Sequence, residues 1–374
     1  LGAYLLFAGK GGFAAGGAKG GGAERLFYVD VLRAGATIAV ILLHSSSVLL
    51  YKFNSVELSW WWAGNLYDSL TRWAVPVFIM ISGKLLLDVK HDLNIRDFLK
   101  KRLSKILIPL AIWGILYTLW AYRVSIVNFR PLPYVVIIKS FFGGKAFFHL
   151  WFIYMLAGLY LATPVLRIFI KNADPNSIKY FLAMWFIANV VYQFMSIHLG
   201  LKIGVDLSFF TGYVGYFVMG YYLGKTDLTG KERNIIYSTG AVSWVVILVG
   251  TYYLTLGTKT KFGDYFYSYL SVTVVCLSAA VFTATKSFKW DRFVRKNPIT
   301  VSVVSKLSRY SFGIYLLHAM VLQFFSEPYL PIKLNAMSFN PFFSVPLTAL
   351  AASLVTFCLV ALIARVPVLK RMIP

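Results

Sequence analysis

Residues Ile235 to Leu254 read IIYSTGAVSWVVILVGTYYL, and a little further on Tyr265 to Thr285 read YFYSYLSVTVVCLSAAVFTAT. Neither stretch holds an Asp, Glu, Lys or Arg. At a rise of about 1.5 Å per residue each makes a helix of roughly 30 Å, the thickness of a bilayer's hydrocarbon core. Neither shows the ten-residue in/out alternation of an outer-membrane strand. A segment alone in lipid must satisfy its backbone internally, so the pattern predicts transmembrane helices.

Stretches of this kind recur along all 374 residues, at about 31–51, 73–87, 106–122, 147–170, 179–199, 207–224, 236–256, 265–285, 308–326 and 343–364. The expected fold is all-α: a polytopic membrane helical bundle of about ten transmembrane helices. Composition agrees, with 59% hydrophobic and 14% charged residues, where soluble domains carry about a quarter charged. So few polar residues exclude an ordinary soluble domain of this length. A shorter apolar piece, Tyr134 to Phe142, cannot span and is expected at the surface or re-entering.

The basic residues predict orientation. With the first span starting inside, inner segments hold 26 of the 37 Lys and Arg, which puts both termini in the cytoplasm and the chain in the inner (plasma) membrane as a multi-pass protein. The net charge of +23 is spread over several loops and suits anionic membrane lipids. No compact basic module is present, so no nucleic-acid partner is expected. Cys276 and Cys358 stand mid-span as small packing residues, without a disulfide framework. Residues 1–23, which include GKGGFAAGGAKGGGA, are low-complexity and flexible by composition, and Leu5 to Ala8 is too short for a signal-peptide core. Residues 24–374 are expected to form one transmembrane domain.

Ionisable groups inside lipid are costly and are functional hypotheses by default. The first span reads YVDVLRAGATIAVILLHSSS over 28–47. Asp30 and Arg33 stand three apart and can pair on one helical face. His44 follows Arg33 by eleven residues, about 16 Å along the axis and nearly on the same face. The same positions would also suit an interfacial anchor (Arg33) and a packed, hydrogen-bonded ring (His44). His318 lies in SRYSFGIYLLHAM at similar depth, with Tyr315 one turn before it. No Asp or Glu is expected mid-span, which leaves these histidines as the ordinary general-base candidates in the membrane. Two histidines at one depth would line a common cavity; Tyr315, His149 and Trp151 are further candidates for that acceptor side. Trp60, Trp61 and Trp62 suit an outer aromatic belt.

The densest basic segment, KKRLSK at 100–105, directly precedes the third span. Lys101, Arg102 and Lys105 would suit the phosphates of a nucleotide-like donor, or simple anchoring at the interface. There is no P-loop, dinucleotide fingerprint or GxSxG elbow, and no zinc spacing, so no metal site is expected.

Together these motifs resemble the acyltransferase-3 family of bacterial membrane O-acyltransferases, particularly the stand-alone members that acetylate cell-surface sugars. The resemblance rests on D-x-x-R and R-x10-H in the first span, RWAVPVFIMISG (72–83), KKRLSKILIP (100–109), HLWFIYMLAGLYLATPVLR (149–167), FVMGYYLGK (217–225) and SRYSFGIYLLH (308–318), and covers residues 24–366. Many members carry R-x-x-R where this chain has Arg102 and Lys105, which keeps the charge and loses one bidentate fork. The resemblance implies transfer of an acetyl or other short acyl group from cytoplasmic acetyl-CoA or another acyl-CoA, with no tightly bound cofactor. The implied acceptor is a hydroxyl of a cell-surface glycan or lipid-linked sugar. His44 would be the general base or acyl-handling residue, Asp30 and Arg33 its charged support, and Lys101, Arg102 and Lys105 the donor contacts. No soluble acyl-carrying domain is expected beside it. A transporter or flippase of a lipid-linked sugar would share the ten spans, but calls for an internal repeat that the sequence does not display.

Overall fold

The computed structural model describes residues 26–88, 94–191, 195, 210–258, 262–328 and 333–373. The expected flexible segment 1–23 lies outside the described residues. Every long element described is a helix: α1 (Phe27–Leu50), α2 (Leu58–Thr71), α3 (Ala74–Leu87), α4 (Ile95–Ala121), α5 (Arg123–Val127), α6 (Tyr134–Phe142), α7 (Trp151–Asn172) and α8 (Pro175–Phe186), which runs into a π turn at Ile187–Val191. There follow α9 (Val214–Lys225), α10 (Gly230–Thr258), α11 (Val272–Ser287), α12 (Trp290–Lys296), α13 (Pro298–Ser326) and α14 (Pro341–Ile363). Several starts are written in the sequence. Asn94 and Ser271 cap the first amides of α4 and α11, and Pro298 and Pro341 occupy first-turn positions where no N–H is needed. Asp174 caps α8 by accepting from the Ser177 amide at 2.8 Å, and hydrogen bonding from Ser177 holds its exposed carboxyl below the usual range.

Among the described residues, seven segments are long and apolar enough to cross a membrane: α1, α2 and α3 together, α4, α7, α10, Tyr265–Ser287, and α14. The protein is a multi-pass helical membrane protein. The other three expected spans fall on α8 with its π turn, on α9, and on the 29-residue α13, about 44 Å long. Residues 192–194 and 196–209, which complete two of them, lie outside the described residues. The short apolar piece is α6, with no buried side chain and Val135, Val136, Ile138 and Phe142 exposed, as a surface-lying segment requires. Cys358 is exposed on α14 rather than packed, because that helix turns most of its length outward.

The second span departs from its expectation. Hydropathy places its start at 73, yet the span runs for 30 residues from Leu58 to Leu87. Asn65, Asp68 and Arg72 lower the hydropathy of this stretch, but Asn65 and Asp68 are fully buried, facing the bundle instead of water. An acid therefore does lie deep within a span. Trp61 is likewise fully buried, not part of an interfacial belt: its indole N–H donates to the Leu50 carbonyl at 3.2 Å and its ring packs on Phe53. Between α2 and α3 the helix breaks at Arg72 and Trp73. Pro76 has no N–H to offer the Arg72 carbonyl and its ring crowds that group, so the ladder cannot continue.

Helix α1 is the hub, packed against α2, α3, α11, α13 and α14. Its apolar window is 72% buried, against 22% for that of α10, whose Val242, Val245 and Val249 are left for lipid. The closest crossing is that of α3 and α9. A Cβ on Gly83 would land on the Phe217 carbonyl, and one on Gly220 on the Met80 backbone. Small residues let the two backbones meet, the usual device for packing helices in lipid. Gly220→Val should cost about 1–3 kcal/mol by overpacking, seen as a lower thermal midpoint of the detergent-purified protein. Gly257→Ala, at a position with nothing within 4 Å, should leave the midpoint in place.

Candidate active site

Three histidines from separate parts of the chain meet inside the bundle. His44 comes from α1, His318 from α13, and His149 from the turn that leads into α7. The His44 and His318 rings stack at 5.3 Å between centroids, and His149 meets His318 edge-on at 5.2 Å. His149 and His318 are buried, whereas His44 is half-exposed. Nδ1 of His318 contacts the Tyr315 carbonyl at 2.6 Å, while its Nε2 has no hydrogen-bond partner among the described residues. The Tyr315 hydroxyl donates to the His149 carbonyl and so ties the turn to α13. Tyr117 of α4 supports the same place, donating to the Leu316 carbonyl at 2.7 Å and stacking on Phe147 at 4.2 Å.

His44 stands on the wall of a cavity of about 810 Å³. Trp151 lines it too, stacked on Tyr269 at 5.8 Å, together with Arg72, Gln323 and Asn335. On the opposite side of the histidines lies a much narrower hollow of about 30 Å³. Arg33 and Arg102 stand among its walls with Tyr160, Phe152, Leu156 and Tyr315. Tyr315 thus has one face to the narrow hollow and its ring 5.4 Å from His149.

Asp30 and Arg33 are joined through a residue the sequence did not single out. Ser308 of α13 donates to Asp30 Oδ1 at 2.6 Å and accepts from an Arg33 terminal nitrogen at 3.2 Å, with all three side chains buried. Of the three expected donor contacts, Arg102 lines the narrow hollow with its guanidinium 5.8 Å from the Phe98 ring. Lys105 is half-buried outside that lining and Lys101 is exposed. Arg167 joins Arg102 across the Phe98 ring at 5.4 Å, anchored by a 2.6 Å bond to the Leu86 carbonyl; its place in HLWFIYMLAGLYLATPVLR was the available signal. Arg72 and Asp68 were missed because the second span was started after both. Among the described residues no group of three His, Cys, Asp or Glu side chains is arranged to hold a metal ion.

A family model described as an acyltransferase domain matches residues 26–365. The chain belongs to the acyltransferase-3 family. Acyltransferase-3 membership accounts for nearly the whole described bundle, both hollows included. A relative in Bacillus subtilis (strain 168), named "Putative membrane-bound acyltransferase YfiQ", is 25% identical over 309 residues, covering 78% of this chain and 79% of its own. No solved structure matches the chain. As a member of the family the protein is an acyltransferase of the membrane, and so an enzyme.

Ser308 supplies a direct check on the buried polar link. Ser308→Ala removes the hydroxyl shared by Asp30 and Arg33, and a hydrogen bond to a charged group contributes about 1.5–3 kcal/mol. The expected result is a lowered thermal midpoint of the purified protein, with Ser308→Thr retaining most of the stability.

Proposed function

We propose that this acyltransferase moves an acetyl or other short acyl group from acyl-CoA, bound at the Arg33 and Arg102 end, to a sugar hydroxyl held in the wide cavity. The observation that carries the reading is the position of His44, on the cavity wall and stacked against the buried His318, with Tyr315 standing between that cluster and the narrow hollow. The basic end faces the cytoplasm, where acyl-CoA is found, and the acceptor is a cell-surface glycan or its lipid-linked precursor. The membrane is the plasma membrane.

In this mechanism Arg102, with Lys105 and Lys101 around it, meets the phosphates of CoA, and the pantetheine arm enters the narrow hollow. A hollow of about 30 Å³ holds roughly one water. Phe152, Leu156 and Tyr315 must therefore part as the arm arrives. The acceptor hydroxyl gives its proton to His44 while its oxygen forms the new bond to the acyl carbon. The thioester C–S bond breaks, and the departing CoA sulfur takes the proton back from the imidazolium. His318 holds the plane of the His44 ring by stacking, and its own contact to the Tyr315 carbonyl fixes its orientation. Asp30 and Ser308 hold Arg33 toward the donor.

General acid–base catalysis contributes about 10² to 10⁴-fold, so His44→Ala should lose at least about a hundredfold in transfer from acetyl-CoA while folding and donor binding persist. CoA release, followed in the purified protein with candidate glycans, reads this directly, and a rate within a few-fold of wild type would sink the proposal. His318→Ala should be milder; equal losses would make the two histidines one unit. Replacing Arg102 and Lys105 together with Ala should raise the donor KM about a hundredfold or more with the acceptor KM nearly unchanged, because charge-assisted phosphate contacts contribute about 1.5–3 kcal/mol each. An unchanged donor KM would return both residues to anchoring.

A further inference from the structure

The transfer just described leaves one charged group of the wide cavity without a task. Among the described residues Arg72 is the sole lining residue with a permanent charge, and no acid is among the described lining residues. Its side chain is 14% exposed and that of its partner Asp68 is 0% exposed, with Nε 2.8 Å from Asp68 Oδ1. The guanidinium lies over the Tyr267 ring at 4.4 Å, and Nη1 reaches toward the Tyr269 hydroxyl at 3.5 Å. Tyr267 is itself pinned, donating to Asn65 Oδ1 at 2.6 Å. Nε is turned to Asp68 and Nη1 toward Tyr269, and Arg72 and Tyr269 both line the cavity. Arg72 occupies this spot because Pro76 breaks the helix at its carbonyl.

Burying such a pair is a poor way to stabilise a bundle, since apolar residues of similar volume do as well or better. A held guanidinium at the edge of a cavity is instead suited to an oxyanion, a carboxylate or a phosphate, which it can meet with two parallel, charge-assisted hydrogen bonds. Next to it the stacked Trp151 and Tyr269 offer aromatic faces, and Gln323 and Asn335 offer amides, the chemistry that grips a sugar ring. We infer that Arg72, with Trp151 and Tyr269, forms a subsite for an acidic acceptor: a sugar that carries a carboxylate or a phosphate. This inference rests on the reading of the wide cavity as the acceptor side.

The test compares three probes of one ring, methyl β-glucuronide, glucose 1-phosphate and methyl β-glucoside, titrated onto the full chain in nanodiscs of zwitterionic lipid. At least one acidic probe should bind about tenfold or more tightly than the glucoside, and which one prevails tells carboxylate from phosphate. The double variant Asp68→Asn with Arg72→Gln removes both charges, so that no ion is left buried alone. It should keep its thermal midpoint and its glucoside binding while losing the preference for acid. Arg72→Lys, which keeps the charge and loses the fork, should fall between. Equal binding of all three probes by the wild type, or a preference that survives in the double variant, overturns the inference. His44→Ala should bind the probes as the wild type does, supporting the subsite. A His44→Ala protein that kept both its acid preference and full transfer would sink the general base and leave the subsite standing. Loss of the preference with transfer to a neutral glycoside intact would do the reverse.

Discussion

The hydroxyl of Ser308 joins α1 to α13, and the position of the histidines follows from that link. It binds Asp30 and Arg33 on one helix from the other, deep enough that none of the three side chains can turn to water instead. From Arg33 to His44 is eleven residues, and from Ser308 to His318 is ten. Both intervals climb about 15–17 Å along a helix. Two helices running side by side from a common pin therefore bring their histidines level, and the rings stack. A slip of one turn would carry the rings about 5 Å apart and leave a buried carboxylate and guanidinium without their shared hydroxyl.

Much of this was legible in the sequence, because intervals along one helix are conserved on folding. Asp30, Arg33 and His44 are recognisable as one face of α1, and Tyr315 and His318 as one face of α13. The helical bundle follows from unbroken apolar stretches such as Ile235 to Leu254. What stayed hidden depends on contacts between helices. Ser308 looks like any polar residue near a helix start until Asp30 is seen opposite it. Asp68 and Arg72 lower the hydropathy of α2 enough to make it resemble a loop, and only the buried surroundings supplied by Tyr267, Tyr269 and Asn65 let them stay inside. Trp61 misled for the related reason that an interfacial and a buried indole look the same without their neighbours.

His149 sits between these cases. Its residue type and its place at the head of α7 made it a candidate, but its seat against His318 depends on bonds from other helices, among them Tyr315 to its carbonyl and Tyr117 to the Leu316 carbonyl. Aromatic side chains thus do in this part of the bundle what backbone ladders do in the helices: they set a distance between elements.

The narrow hollow lined by Tyr315 bears on the energetics of the membrane itself. Each elementary charge that crosses a potential of 100 mV dissipates about 2.3 kcal/mol, so an open conduit through a bundle of this size would be a leak. The space between Arg33 and Tyr315 has room for roughly one water and is walled by Phe78, Phe152, Leu156 and Phe312. A hydrated ion does not fit there, and Tyr315 on its wall is tied by its hydroxyl to the His149 carbonyl. Among the described residues, this part of the bundle can hold a hollow and still insulate.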